Sequence, residues 1–205
     1  MENTQNRLAH CQFSSSRLDV SACPNLVQYD AFDELARSVI EILTPNVTTS
    51  LPPGWDNIHS LEQAKSWLKD RVEECTCLLV RKRESGQVIG FIFLYSEHNG
   101  AEPLTLHLGY LIAETEWGQG FASEIIQALV QWLKSLAKES QTKQDLPSIR
   151  GIIGGVESSN LASIAVLVKN GFSLCEQAST SIDEEEDLVH AADGASTQAF
   201  YQIIF

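Results

Sequence analysis

Positive charge is scarce in this chain. Its 14 Lys and Arg stand against 27 Asp and Glu, a formal net charge of −13, and a molecule of that sign repels phosphate backbones and anionic lipid surfaces. The balance argues against nucleic acid or a membrane surface as partner and permits a cationic one. Long apolar runs are missing too. The first 15 residues are mostly polar and no later stretch is long enough to span a bilayer, so neither a secretory signal nor a membrane span is expected and the expected location is cytoplasmic. Cysteine is sparse and odd in number, at positions 11, 23, 75, 77 and 175, which suits reduced thiols. Cys75-Thr76-Cys77 offers two thiols without a second pair, so it reads as ordinary core or surface cysteine rather than a metal site. Glycine (12) and proline (6) are too few for a collagen-like or disordered chain. What remains is a globular protein of 205 residues, long enough to bury a core unaided, with a single domain over 1–205 as the expectation.

The apolar pattern alternates between two periods. Residues 104–112 (LTLHLGYLI) read as a strand that stops at the polar Glu114-Thr115-Glu116. From Phe121 to Lys138 the stripe Ala122, Ile125, Leu129, Trp132 and Leu136 predicts a helix lying on a sheet, closed by a polar linker over 139–148. Residues 149–156 are strand-like again, and Asn160 to Asn170 is helical, with Gly171 as its C-cap. Strand, helix, strand, helix implies a crossover and a mixed sheet. Upstream, 77–82 and 88–95 flank Glu84-Ser85-Gly86-Gln87 as an antiparallel hairpin, and 31–43 and 61–72 are amphipathic. Thr44 to Ile58 reads as a long loop, either a substrate contact or a plain connector. The acids 183–187 read as a solvated loop, and 198–205 as a last strand.

The chemistry concentrates in Trp117-Gly118-Gln119-Gly120-Phe121-Ala122-Ser123-Glu124, between a strand and a helix. Two glycines there let backbone N–H groups converge, and a helix N-terminus adds partial positive charge, which together suit a pyrophosphate. A tight turn needing glycine for its φ angles would look the same.

The tract GYLIAETEWGQGFASEIIQAL, followed by Asn160-Leu161-Ala162-Ser163 and Lys169-Asn170-Gly171-Phe172, resembles the GNAT superfamily of N-acetyltransferases. It is most similar to the branch holding the ribosomal-protein N-terminal alanine acetyltransferases. Arg17-Leu18 and the apolar final strand suit the ends of that branch. The resemblance implies an α+β fold, with a twisted mixed sheet of about seven strands flanked by helices, a V-shaped splay between strands 4 and 5, and a cofactor core over about 104–172. It implies acetyl-CoA as cofactor, its pyrophosphate on the amides of Gly118, Gln119, Gly120, Phe121 and Ala122, and its pantetheine along the strand ending at Leu111, Ile112 and Ala113. Trp117 stands where the superfamily often has Gln or Arg, a departure usual in this branch. Asn160 matches a family Asn that supports the cofactor, and its type also suits a helix N-cap.

The implied reaction is transfer of an acetyl group to a primary amine by direct attack on the thioester. The acceptor is a protein N-terminal α-amine or a small amine, with a mild lean to cationic ones, and the protein is a monomer or a homodimer. A base to take the amine proton helps near pH 7. His107, close to where relatives carry a catalytic Glu, is the first candidate, and equally fits a half-buried strand histidine. Glu157 is the second, with a surface carboxylate as its plainer reading; Glu114 and Glu116 serve the turn or solvent. Many relatives place an acidic Tyr where this chain has Leu167, so that role passes to Ser163, which in its branch partners the CoA sulfur. Tyr110 reads as packing, and a backbone N–H near Ile112 as the oxyanion donor. The alternative is a non-catalytic acyl-CoA-binding module.

Overall fold

Why the chain makes these elements is visible at their ends. The long amphipathic segment at 61–74 starts with a capping box in which the Ser60 hydroxyl accepts from the Gln63 N–H and the Gln63 side chain accepts from the Ser60 N–H. The helix at 161–169 is capped by Asn160, and it stops at Gly171, whose φ of +85° few other residues adopt. The computed structural model describes residues 8, 11–24, 26, 31–96, 103–140, 148–175 and 198–205. The acidic run 183–187 lies outside them, as does most of the linker at 139–148.

In chain order the described elements are β1 (Gln12–Ser14), β2 (Leu18–Ala22), α1 (Phe32–Ile42), α2 (Pro45–Thr48), α3 (Leu61–Glu74), β3 (Thr76–Lys82), β4 (Val88–Ser96), β5 (Leu104–Ile112), α4 (Phe121–Ser140), β6 (Ile149–Glu157), α5 (Leu161–Lys169), β7 (Ser173–Leu174) and β8 (Gln198–Ile204). Short 3-10 turns occupy Trp55–Asn57 and Glu114–Glu116. The strands form one mixed sheet in the order β1-β2-β3-β4-β5-β6-β8-β7. All neighbours are antiparallel except β5 and β6, which are parallel and joined through α4. Eight strands stand against the expected seven or so, and two of them are very short, three residues in β1 and two in β7.

Each face of the sheet carries its own core. Leu106, Leu108, Ile152 and Val156 pack with Ile125, Ile126, Leu129, Leu133 and Leu167 of α4 and α5. The other face sets Leu79, Phe91, Phe93 and Leu111 against Leu35 and Val39 of α1 and Ala64, Trp67 and Leu68 of α3. An aromatic cluster anchors this second core. Trp67 meets Trp55 edge-on at 5.1 Å and Phe91 at 5.4 Å.

The loop reading of Thr44 to Ile58 needs correction. Thr44 caps a helical turn, α2, with Pro45 at its first position, and Trp55, whose side chain is buried in the second core, begins a 3-10 turn. Its proline and glycine content hid one turn of helix too short to show a period.

Candidate active site

The parallel pairing of β5 with β6 runs from Leu104↔Ile149 to Leu108↔Gly154 and stops. Beyond it β6 continues with β8, as far as Glu157↔Gln198, while β5 continues with β4, as far as Ile112↔Gly90. The two strands therefore part after Leu108. The expected splay is present; counted in chain order it separates the fifth and sixth strands because the short β1 adds one strand ahead of it. The Ala113 N–H donates to the Ile89 carbonyl of β4. By strand alternation the backbone groups of Tyr110 and Ile112 then face the opposite side, into the gap. The Ile112 carbonyl is taken by Trp117, whose Nε1 donates to it at 2.8 Å.

At the end of β5 the chain turns through Trp117-Gly118-Gln119-Gly120 into α4. Gly118 and Gly120 have φ of +73° and +80°, backbone that residues with a Cβ rarely adopt. The N–H groups from Gly118 through Ser123 donate to no group among the described residues. The first helical N–H groups have no partner within the helix, and here the two glycines add further donors on solvent-facing backbone. A Cβ at Gly118 would meet nothing, and one at Gly120 only Arg17 Nη2 at 3.8 Å, so the mouth of the turn is open. This row of unused donors at a helix N-terminus fits a diphosphate.

Side chains brace the turn from behind. Glu116, 8% exposed, pairs with Lys82 Nζ at 2.6 Å and accepts from Gln119 Nε2 at 3.0 Å. Glu114 accepts from Thr44 Oγ1 at 2.9 Å and Asn46 Nδ2 at 2.6 Å, tying the start of α2 to the turn. Both acids thus serve the turn, as their positions suggested. Glu124, in the first turn of α4, accepts from Ser15 Oγ at 2.7 Å, Ser16 Oγ at 2.9 Å, the Arg17 N–H at 2.9 Å and Arg17 Nε at 2.7 Å. Burial pushes its carboxyl up, but the Ser15, Arg17 and Ser16 hydrogen bonds outweigh that and hold it down at about 2. The Arg17 guanidinium also lies over the Phe121 ring at 4.2 Å and donates to the Gln119 carbonyl. Sequence reasoning missed this clamp. Glu124 stood in the quoted motif and at a position a helix dipole favours, whereas nothing local marks Arg17 as its partner.

The other expected residues fall on two faces. His107 pairs with Tyr95 and Ile153, next to the last rung before the gap, and is half-buried. Alternation puts it on the face of Leu111, away from α4 and α5. Glu157 shares that face but stands four residues beyond Ile153, about 13 Å along the strand. A groove of ≈ 560 Å³ opens on the same face, lined by Thr105, Arg150, Ile153, Leu174, Cys175, Gln202 and Ile204. Ser163 lies on the opposite face, in the first turn of α5, where its N–H donates to Asn160 Oδ1 at 3.0 Å. Tyr110 shares that face and packs against the α4–α5 core. Asn170 Nδ2 reaches Ser123 Oγ at 3.3 Å, fixing the end of α5 against the start of α4. The fold therefore gathers Leu111, Ile112, Ala113, Trp117, Gly118, Gln119, Gly120, Phe121 and Ala122 around one end of the gap. It does not bring His107, Glu157 and Ser163 to one point. Cys75 and Cys77 are buried and unbridged. Among the described residues no cluster suits a metal ion, and no helix is long and apolar enough to cross a membrane.

A split parallel pair with an open, glycine-shaped helix N-terminus at one end defines an acyl-CoA-type transferase fold. The family model for the acetyltransferase (GNAT) domain matches residues 28–173, and the chain belongs to that family. No curated protein matches it by sequence. Among solved structures it is similar to a GNAT-family acetyltransferase from Bacillus anthracis, at 17% identity over 95% of this chain and 98% of that one, TM-score 0.65. It is similar to RimL, a ribosomal L7/L12 α-N-protein acetyltransferase in complex with coenzyme A, at 17% identity over 93% and 95%, TM-score 0.63. It is also similar to the microcin C7 self-immunity acetyltransferase MccE, in complex with acetyl-CoA and AMP, at 16% identity over 93% and 93%, TM-score 0.63. At such identities the likeness is one of fold. Family membership makes the chain an acetyltransferase with acetyl-CoA as donor, and the binding-only alternative gives way to it.

Proposed function

We propose that the chain transfers the acetyl group to a primary amine, a protein α-amine or a small amine, that approaches from the face carrying His107. The observation that carries this reading is the row of N–H groups from Gly118 to Ser123 that the protein leaves unused at the end of a parted strand pair. Those amides would hold the diphosphate, and the gap-facing backbone of Tyr110 would receive a pantetheine amide as a strand partner would. Bound acetyl-CoA supplies a thioester whose carbonyl carbon takes the amine and whose sulfur leaves. The Ile112 N–H stands on the gap side of β5, where it can steady charge developing on the carbonyl oxygen. His107 takes the proton of the incoming amine, directly or through one water. It is preferred to Glu157 because it sits where the strands part, while Glu157 stands toward the mouth of the gap. Ser163, on the α5 side, donates its hydroxyl hydrogen toward the sulfur, with Asn160 holding its turn of helix in place.

The test joins binding to turnover. Gly120→Val puts a branched side chain at φ +80° under the Arg17 guanidinium. It should weaken acetyl-CoA binding by at least about 100-fold in calorimetry while the protein still melts cooperatively. Affinity within threefold of the parent would remove the turn from the cofactor site. With the parent protein, a panel of amines should include one that triggers thiol release, and His107→Ala should lower that rate about 100-fold and flatten its pH profile. An unchanged pH profile would return the base to Glu157 or water.

A further inference from the structure

Two cysteines face each other where β2 runs out beside β3. The antiparallel register sets Ala22 opposite Leu78, and the next rung is Cys23 opposite Cys77, closed by the Cys23 N–H donating to the Cys77 carbonyl at 2.8 Å. Opposed residues of an antiparallel pair share a face, with Cβ atoms about 4.5–5.5 Å apart. Their Cα atoms, about 5.5 Å apart in a hydrogen-bonded rung, stand at a spacing that disulfides commonly span. Here the shared face is that of the second core, where Cys77 is buried and Cys23 packs half-buried against it. The other three thiols stand apart. Cys75 Sγ donates back to the Arg71 carbonyl at 3.1 Å, and it lies on the diagonal from Cys23, about 7–8 Å away. Cys11 belongs to the first core, on the other face, and Cys175 follows β7 at the far edge of the sheet.

We propose that Cys23 and Cys77 are a reversible oxidation site, at which a low-molecular-weight disulfide converts the two thiols into one cross-strand disulfide that fastens the end of β2 to β3. The inference stands independently of the acetyl-transfer reading. The two thiols have unequal parts. Cys23 is the one that solvent reaches, so its thiolate attacks the small disulfide, whose S–S bond breaks; one small thiol leaves with the proton that Cys23 gave up. Cys77 then attacks Cys23 Sγ, the bond to the second small thiol breaks, and that thiol leaves with the Cys77 proton. The protein has lost two hydrogens and the small disulfide has gained them. The neighbouring Cys23 first, and burial second, push the Cys77 thiol well above its usual range, which suits the resolving cysteine rather than the attacking one. Closure brings the Cβ atoms together by about 1 Å. The Cys23 side can supply that movement, because β2 has ended at Ala22, whereas Cys77 is held from its other edge by Phe93 of β4.

The experiment reads the link itself. Protein that has been reduced and freed of reductant is incubated with oxidised glutathione while folded, quenched in acid and digested without reduction. Mass spectrometry should find the Cys23 and Cys77 peptides joined, in at least about tenfold excess over any other cysteine pair, and dithiothreitol should part them. In Cys77→Ala the second step has no attacker, so glutathione should stay on Cys23. Cys75→Ala should keep the Cys23–Cys77 link at the parental yield. Glutathione retained on Cys23 of the parent would overturn the proposal, as would Cys23 joined to Cys75 or the absence of any Cys23–Cys77 link in protein whose circular dichroism is native. Should Cys77→Ala fail to fold, the map of the parent decides alone: the Cys23–Cys77 link in excess supports the site, and links spread evenly over the five cysteines overturn it.

Discussion

Glu124 gathers hydrogen bonds from Ser15, Ser16 and both the main chain and side chain of Arg17, and through them holds the N-terminal strands onto the helix that follows the glycine turn. Charge-assisted hydrogen bonds of this kind are each worth more than neutral ones. Glu124→Gln keeps the size of the side chain and removes the charge, and should cost about 2 kcal/mol near pH 7. For a protein of this length that is a fall in Tm of roughly 4–8 °C. The sign of its pH dependence follows from the depressed carboxyl. A group whose folded pKa is lowered stabilises fully above its unfolded value, near 4.5, and loses that contribution as pH falls toward about 2. The gap between parent and variant should therefore be constant at neutral pH and close between pH 4.5 and about 2. Melting curves that stay equally far apart at pH 3 would show that the Arg17 clamp does not depend on the charge.

Between elements, the tightest approach near the site is that of β4 to β5. A Cβ at Gly90 would stand 2.3 Å from the Leu111 carbonyl oxygen and 2.8 Å from Ile112 Cδ1, so Gly90→Ala must push the two strands apart next to the gap. Its expected cost is about 1–3 kcal/mol. Gly109→Ala, on β5 itself, would meet only Phe93 at 3.5 Å, an ordinary contact, and should stay within about 0.5 kcal/mol of the parent. Equal denaturant midpoints for the two variants would contradict this packing. Gly90 also marks the limit of what sequence could show. The period of 3.6 along 121–140 and the apolar runs at 104–112 and 149–157 made helix, strands and crossover legible, and a tight strand–helix turn with two glycines announced itself. The strands β1 and β7 are too short to carry a period. Partners such as Arg17 and Glu124, 107 residues apart, meet only through the sheet order. The same holds for Tyr110: its type was plain, but that its hydroxyl is buried without a hydrogen-bond partner depends on where pairing to β6 ends.

Over the whole molecule the charge of −13 and the local charges at the site pull differently. Two cations beside the glycine turn, Arg17 and Lys82, are already paired with Glu124 and Glu116. On the proposed reading, holding a polyanionic donor against the overall field then falls mainly to the N–H groups and the dipole of α4, which act at contact distance and within the first turn of the helix. An incoming cationic acceptor, by contrast, feels the field of the entire surface, which raises its encounter rate at low ionic strength. Peptides differing only in Lys or Arg beyond the α-amine separate these effects when compared at saturating acetyl-CoA. From about 0.01 M to about 1 M salt the screening length shrinks from roughly 30 Å to 3 Å. Over that range kcat/KM for the basic peptide should fall about tenfold or more, and that for the uncharged one should change less than twofold. Parallel salt profiles for the two peptides would mean that the acidic surface plays no part in choosing the acceptor, leaving selection to the residues that line the gap.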